Sequence, residues 1–184
     1  MSKNIIVIGA GIVGASIAWH LAKAGAEVTV IADSAAGGVA TPNSFAWINA
    51  SWGNPEIYFR LRTRSMAEWS RLARDVPGLP LAWCGGLCWD LPAAKLEAYA
   101  SEHSAWGYGM ERVDRARAAR IEPNLAELPD FALYVPGEGV AEPVAATRAL
   151  LTDAERRGAR ILAGAAVTAL AQTNGGVVGV DTSS

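Results

Sequence analysis

Three glycines, Gly9, Gly11 and Gly14, follow an unbroken apolar run at Ile5–Ile8 and open a stretch of small and apolar residues that closes at Gly25; a second β-branched run, Val28–Ile31, comes directly after it. The run of four before the glycines reads as a buried strand, the stretch behind them as a helix, and Val28–Ile31 as a second strand. Each glycine has a separate task in that order. Gly9 lets the chain turn sharply out of the first strand, Gly11 leaves room for a ligand to approach the backbone, and Gly14 lets the helix lie close to the sheet. Ala18 and Gly25 extend the pattern, with a small residue facing the sheet and a glycine at the helix end. The helix N-terminus offers unpaired N–H groups and a positive dipole end, so it favours an anion without a basic side chain. Strand, glycines and helix in this sequence form a dinucleotide-binding βαβ unit.

A targeting segment is the competing account of residues 5–22, since an apolar run behind Lys3 superficially resembles a secretory signal or membrane anchor. The regular glycines, Ser16 and His20 inside the run, and the strand after it argue against that, and a cytoplasmic chain with no stable membrane insertion is expected. Half of the residues are hydrophobic (51%), and the net charge is −2, so no polyanionic partner is indicated. Arg60, Arg62, Arg64, Arg71 and Arg74 share one helical stretch, but Glu56, Glu68 and Asp75 dilute them, which reads as a solvated face rather than a nucleic-acid patch. Cys84 and Cys88 lie in WCGGLCW. On a straight strand they are ~13 Å apart, too far for a disulfide without a turn at Gly85-Gly86. With only His20 and His103 elsewhere, no metal site is expected.

Beyond the βαβ unit comes a long loop of small residues, 34–54, whose length marks it as functional. Tyr58–Val76 reads as a helix with Leu61, Ser65, Trp69, Leu72 and Val76 along one face, ended by Pro77-Gly78. Residues 81–91 read as a strand pair or bent strand, Ala93–Trp106 as a helix, Asp114 as the cap of a short helix, and Phe131–Val135 as a strand. Pro143 starts a helix that Gly158 ends, followed by a strand at Arg160–Leu162. Ala166–Gln172 and Val177–Asp181 flank Asn174-Gly175-Gly176, a hairpin signal. The expected organisation is a discontinuous dinucleotide domain, 1–78 and 143–184, with a second lobe, 79–142, inserted. Only three parallel strands are visible by residue 162 where a doubly wound sheet has about five or six, so the sheet reads as incomplete at the C-terminus.

The segments IIVIGAGIVGASIAWHLAKAGAEVTVI, GGVATPNSFAWINA, IEPNL and AVTALAQTNGGVVGVDT, in that order, resemble the D-amino-acid oxidase-like family of FAD-dependent oxidoreductases, and the likeness runs over the whole chain. The resemblance implies an α/β fold: a Rossmann-type FAD-binding domain interrupted by an α+β substrate lobe. It implies that Gly9, Ala10, Gly11, Ile12, Val13 and Gly14 cradle the FAD pyrophosphate. Thr41, Asn43 and Ser44 match the segment that passes beneath the flavin and its phosphates, and Val167 matches a position whose backbone contacts adenine. Loop capping by Thr41 and Ser44, and hairpin packing by Val167, are the alternative accounts of those residues.

Two departures bear on that reading. The family has Glu at the end of the second strand for the ribose hydroxyls, where this chain has Ala32; Asp33 substitutes for it only if the strand has already ended and the chain turns. Relatives are also substantially longer, and the part they have in addition carries the substrate-carboxylate Arg, so no catalytic residue is named. Trp47, Asn49 and Trp52 border the flavin or pack in the core.

The activity implied is oxidation of the C–N bond of an amino acid or secondary amine, with FAD as cofactor and a small-molecule substrate as partner. An NAD(P)-dependent dehydrogenase, and a non-catalytic FAD-binding or interaction fragment that forms a homo-oligomer over its open sheet, are the alternatives.

Overall fold

The computed structural model describes residues 4–34, 37–51 and 53–183; Trp52 lies outside them. In chain order the elements are β1 (Asn4–Ile8), α1 (Ile12–Lys23), β2 (Glu27–Ala32), a 3-10 turn (Thr41–Asn43), β3 (Trp47–Ile48), α2 (Glu56–Asp75), β4 (Leu81–Ala82), β5 (Gly86–Cys88), α3 (Ala93–Ala105), β6 (Glu111–Asp114), α4 (Arg115–Ile121), β7 (Phe131–Val135), β8 (Gly139–Ala141), α5 (Pro143–Arg156), β9 (Arg160–Ala163), β10 (Val167–Thr173) and β11 (Gly176–Thr182). They form two compact units. The first is Met1–Ala46, Leu72–Pro80 and Glu142–Ser184, and the second is Trp47–Arg71 and Leu81–Ala141. The sequence reading placed all of 1–78 in the first segment, whereas here Trp47–Arg71 packs with the inserted lobe.

The first unit contains a three-stranded parallel sheet in the order β1-β2-β9, with Val7 opposite Val30 and Val30 opposite Ile161. The helices α1 and α5 pack together, and their contact is built on a polar anchor. Trp19, fully buried on α1, donates its indole N–H to Asp153 Oδ2 on α5 at 2.8 Å, and Arg157 Nε donates to the same oxygen at 2.8 Å. Burial opposes ionisation of Asp153, but the bonds from Trp19 and Arg157 and the charges of Arg157 and Arg156 outweigh it and hold the carboxyl below its ordinary range. Val7 faces inward on β1, while Ile6 (40%) and Ile8 (54%) alternate to the exposed side, as the two-residue period of a strand requires. The hairpin β10–β11 turns at Asn174 (φ 52°), where the sequence placed it.

The second unit is made of two antiparallel sheets, β3-β8-β4 and β5-β7-β6, with most of α2, α3 and α4. Its core includes Leu96, Tyr99 and Leu133 in one cluster, and Ala50, Phe59, Tyr108 and Val135 in another. Asp114 caps α4 as expected, its Oδ1 accepting the Arg117 N–H at 2.7 Å. His103 is fully buried among Tyr99, Trp106 and Phe59, with ring centroids 4.0, 4.5 and 5.5 Å away; its Nδ1 bonds the Tyr99 carbonyl at 3.2 Å and its Nε2 has no partner.

The helix face expected for α2 holds at Leu72 and Val76, which are buried, and is corrected in the first half of the helix: Leu61 is 58% exposed, and the inward row in this unit is Phe59, Arg62 and Met66 instead. Phe59 fills the aromatic cluster, and one turn along the chain presents a guanidinium rather than an alkyl group to the interior. Cys84 is exposed, Cys88 is buried, and both are free; β4 and β5 belong to different sheets.

Candidate functional site

An open groove of about 580 Å3 runs along β1 and over the start of α1 in the first unit. It is lined by Ile5–Gly9, Gly11–Gly14, Ile17 and the returning loop Gly37–Thr41, so no lining side chain carries a charge. Gly9 has φ +99°, the left-handed turn that the strand-to-helix reversal needs. At Gly14 a Cβ would run into the Gly9 carbonyl oxygen, so the helix approaches the preceding turn as closely as backbone allows. Gly11 is the N-cap of α1, extended at φ −75° and with no side-chain cap. A Cβ there would lie 3.4 Å from Thr41 Oγ1 and 3.6 Å from the Gly37 carbonyl, ordinary contact distances.

Thr41 connects loop to helix. Its buried Oγ1 accepts the Ile12 N–H at 3.1 Å, and the Gly37 N–H is donated to the Ala10 carbonyl at 3.0 Å, so the 37–41 loop is tied to the glycine turn at two points. The first amides of a helix have no intrahelical acceptor, and the first turn of α1 carries no acidic residue. This is a cradle for an anion, made by backbone dipoles and closed by small residues.

The sequence candidates thus divide. Gly9, Gly11, Ile12, Val13, Gly14 and Thr41 line one groove, with Val13 70% exposed, while Ala10 is buried beneath them. Asn43 donates Nδ2–H to the Val39 carbonyl at 2.8 Å, and Ser44 Oγ accepts the Ala46 N–H at 3.0 Å, so both side chains serve the turn that follows Thr41. Ala32 is the last residue of β2, buried and opposite Ala163. The strand ends there and Asp33 sits exposed in the bend beyond it, which is the geometry its proposed substitution for Glu demands. Val167 begins β10 opposite Thr182 and is not among the lining residues. Asn49 uses both ends of its amide inside its own segment, donating to the Trp47 carbonyl at 3.1 Å and accepting the Ser51 N–H at 3.1 Å. The sequence reading marked the whole 34–54 loop as functional but gave Gly37 to Ala40 no site role of their own, although the Gly37-Gly38 pair marks a sharp return of the chain.

Residues 4–184 match the family described as FAD dependent oxidoreductase (DAO). The chain belongs to that family. FAD is the family's cofactor, and the charge-free cradle of small residues at the head of α1 fits the pyrophosphate of such a nucleotide. The DAO-family chain is 31% identical over 198 residues to the uncharacterized oxidoreductase YurR of Bacillus subtilis, covering 98% of this chain and 51% of that protein. It is 32% identical over 141 residues to a D-amino acid dehydrogenase of Dechloromonas aromatica, covering 73% of this chain and 28% of that one. Glycine oxidase from Bacillus cereus superposes with a TM-score of 0.87 at 23% identity, over 100% of this chain and 52% of the other, which shows the shared fold. The chain spans about half the length, or less, of the relatives it matches. Among the described residues no helix is long and apolar enough to cross a membrane.

Proposed function

We propose that this chain supplies the FAD-binding part of an oxidoreductase that oxidises the C–N bond of an amino acid or secondary amine. The observation that carries the proposal is the groove at Gly9–Gly14, where Thr41 and the α1 amides converge without a charged side chain. When bound there, FAD supplies the electron acceptor for the hydride that leaves the substrate carbon. The chain's own contribution is binding and orientation. The α1 N-terminus would hold the pyrophosphate, Thr41 ties the 37–41 loop to that helix start, and Asp33, just past the end of β2, would bond the ribose hydroxyls in place of a strand-end carboxylate. The names of glycine oxidase and D-amino acid dehydrogenase among the relatives support an amino acid or small amine as substrate.

Titration of the purified protein with FAD, followed by the absorbance of bound flavin, tests this reading. Stoichiometric binding is expected, with loss of at least tenfold in affinity in Gly11→Val because a branched side chain enters the pyrophosphate path. A colourless protein that resists reconstitution, or a Gly11→Val variant with full occupancy, overturns it. Turnover of glycine, sarcosine or D-alanine by the yellow protein identifies the substrate class.

A further inference from the structure

In the second unit the backbone of Asn49–Ala50–Ser51 lies outside any ladder, and its polar groups are met by side chains from elsewhere in the unit. Arg62 on α2 donates Nε–H to the Asn49 carbonyl at 3.0 Å, Nη1–H to the Ser51 carbonyl at 2.8 Å, and Nη2–H to Asn49 Oδ1. The Tyr108 hydroxyl accepts the Ala50 N–H at 3.0 Å. On the other side stands Glu138, 0% exposed, between β7 and β8. Ser51 Oγ and Tyr108 OH both donate to its Oε1, and the Trp47 indole N–H donates to its Oε2 at 2.9 Å. The fit is close enough that a Cβ on Gly86 of β5 would collide with Oε2.

All three Arg62 bonds end on neutral oxygens of the segment, and all three donors to Glu138 are neutral. The positive and the negative charge are therefore joined through Asn49–Ser51. We propose that Glu138 and Arg62 form a charge latch, a carboxylate and a guanidinium that hold Asn49–Ala50–Ser51 between them, so that ionisation of Glu138 sets the conformation of the segment. The latch stands apart from the flavin reading and does not depend on it.

Three acceptor bonds suit a carboxylate; a protonated carboxyl must donate its own hydrogen, and one of the Ser51 or Tyr108 hydroxyls then has to turn. Burial pushes the Glu138 carboxyl above its ordinary range, against the opposing pull of the bonds from Ser51, Tyr108 and Trp47 and the charge of Arg62. Two other titratable neighbours are shifted upward. Burial, then the bond to Glu138, raises Tyr108, and burial, then the charges of Glu138 and Asp90, pushes the Cys88 thiol on β5 up to about 12.

The test is the near-ultraviolet circular dichroism of the full chain between pH 4 and 8, to which Trp47 and Tyr108 contribute, with unfolding equilibria measured on the same samples. The wild-type band is expected to titrate with a midpoint above 4.5, the ordinary value for this carboxyl, and to lose the transition in Glu138→Gln. Because the folded-state value is raised, the stability this group contributes is present at low pH and lost as pH rises through the midpoint, so wild type weakens relative to Glu138→Gln on that side. At pH 7, Arg62→Met is expected to raise the unfolding equilibrium constant by a factor at least tenfold larger in the wild-type background than in Glu138→Gln, since only the former strands a buried charge. Additive effects within twofold, or a transition that persists in Glu138→Gln, overturn the latch. Should Glu138→Gln not fold, Tyr108→Phe decides: it removes one donor from the carboxylate, so the midpoint must move further up, and an unmoved midpoint overturns the proposal.

Discussion

The glycine turn at 9–14 and the segment at 49–51 are both irregular backbone, and they satisfy their polar groups in opposite ways. The glycine turn is held by contacts the chain makes with itself nearby and with one loop, and it leaves the head of α1 facing an open groove. The 49–51 segment is closed by Arg62, Tyr108 and Glu138, side chains that come from α2, the α3–β6 connection and the β7–β8 turn. One arrangement leaves the helix head open to a ligand, and the other ties its backbone to distant side chains to fix a conformation. A buried polar group left without a partner costs about 1–3 kcal/mol, so the second stretch changes only when one of its partners changes state.

The comparison breaks most visibly at Gly14. Gly14→Val puts a side chain into the Gly9 carbonyl, and a loss of about 3 kcal/mol or more in unfolding free energy is expected by denaturant titration. Tolerance of valine there would mean the turn is looser than its geometry. Next comes Arg62→Met, which strips three bonds from the 49–51 segment. About 2 kcal/mol should be lost, and proteolysis between residues 49 and 55 should accelerate. Thr41→Val removes the Oγ1 acceptor at the head of α1 without changing volume. It should cost only about 1 kcal/mol, because the Ile12 amide lies beside an open groove that water can enter. Equal losses in Arg62→Met and Thr41→Val would erase the distinction between the two stretches.

The smallest effect is one of pH. Burial lowers His103 below 6.5, against the Tyr99 carbonyl bond and the charge of Glu102. A histidine depressed in the folded state contributes stability that is present above 6.5 and lost as pH falls below it. Thermal denaturation from pH 7.5 to 5.5 should show this decline in wild type and a shallower one in His103→Phe, which keeps a ring in the cluster of Phe59, Tyr99 and Trp106.

Much of the first unit was readable from residues because its signals are local. The β1–α1–β2 unit, the start of α5 at Pro143 and the hairpin turn at Asn174, like the Asp114 cap in the second unit, each depend on a few consecutive residues, and the structure has them where pattern and capping chemistry put them. The second unit was harder. β3, β4 and β8 are two or three residues long, too short to show alternation, and their pairing joins stretches more than fifty residues apart. The inward turn of Arg62 was hidden for the same reason. In sequence it is one of five arginines in a mixed-charge helix, and only the carbonyls of Asn49 and Ser51 give it somewhere to point.

By itself the sequence determined the dinucleotide-type turn, the three parallel strands and the family, because glycine spacing and strand–helix–strand order are constraints that neighbouring residues impose on one another. Tertiary structure alone decided that Trp47–Arg71 packs with the inserted lobe, that Thr41 rather than Asn43 or Ser44 faces the groove, and that Glu138 meets Trp47, Ser51 and Tyr108. Those outcomes depend on where distant donors and acceptors come to lie after the chain is packed. A buried polar atom finds its partner in space, and sequence distance carries no record of it.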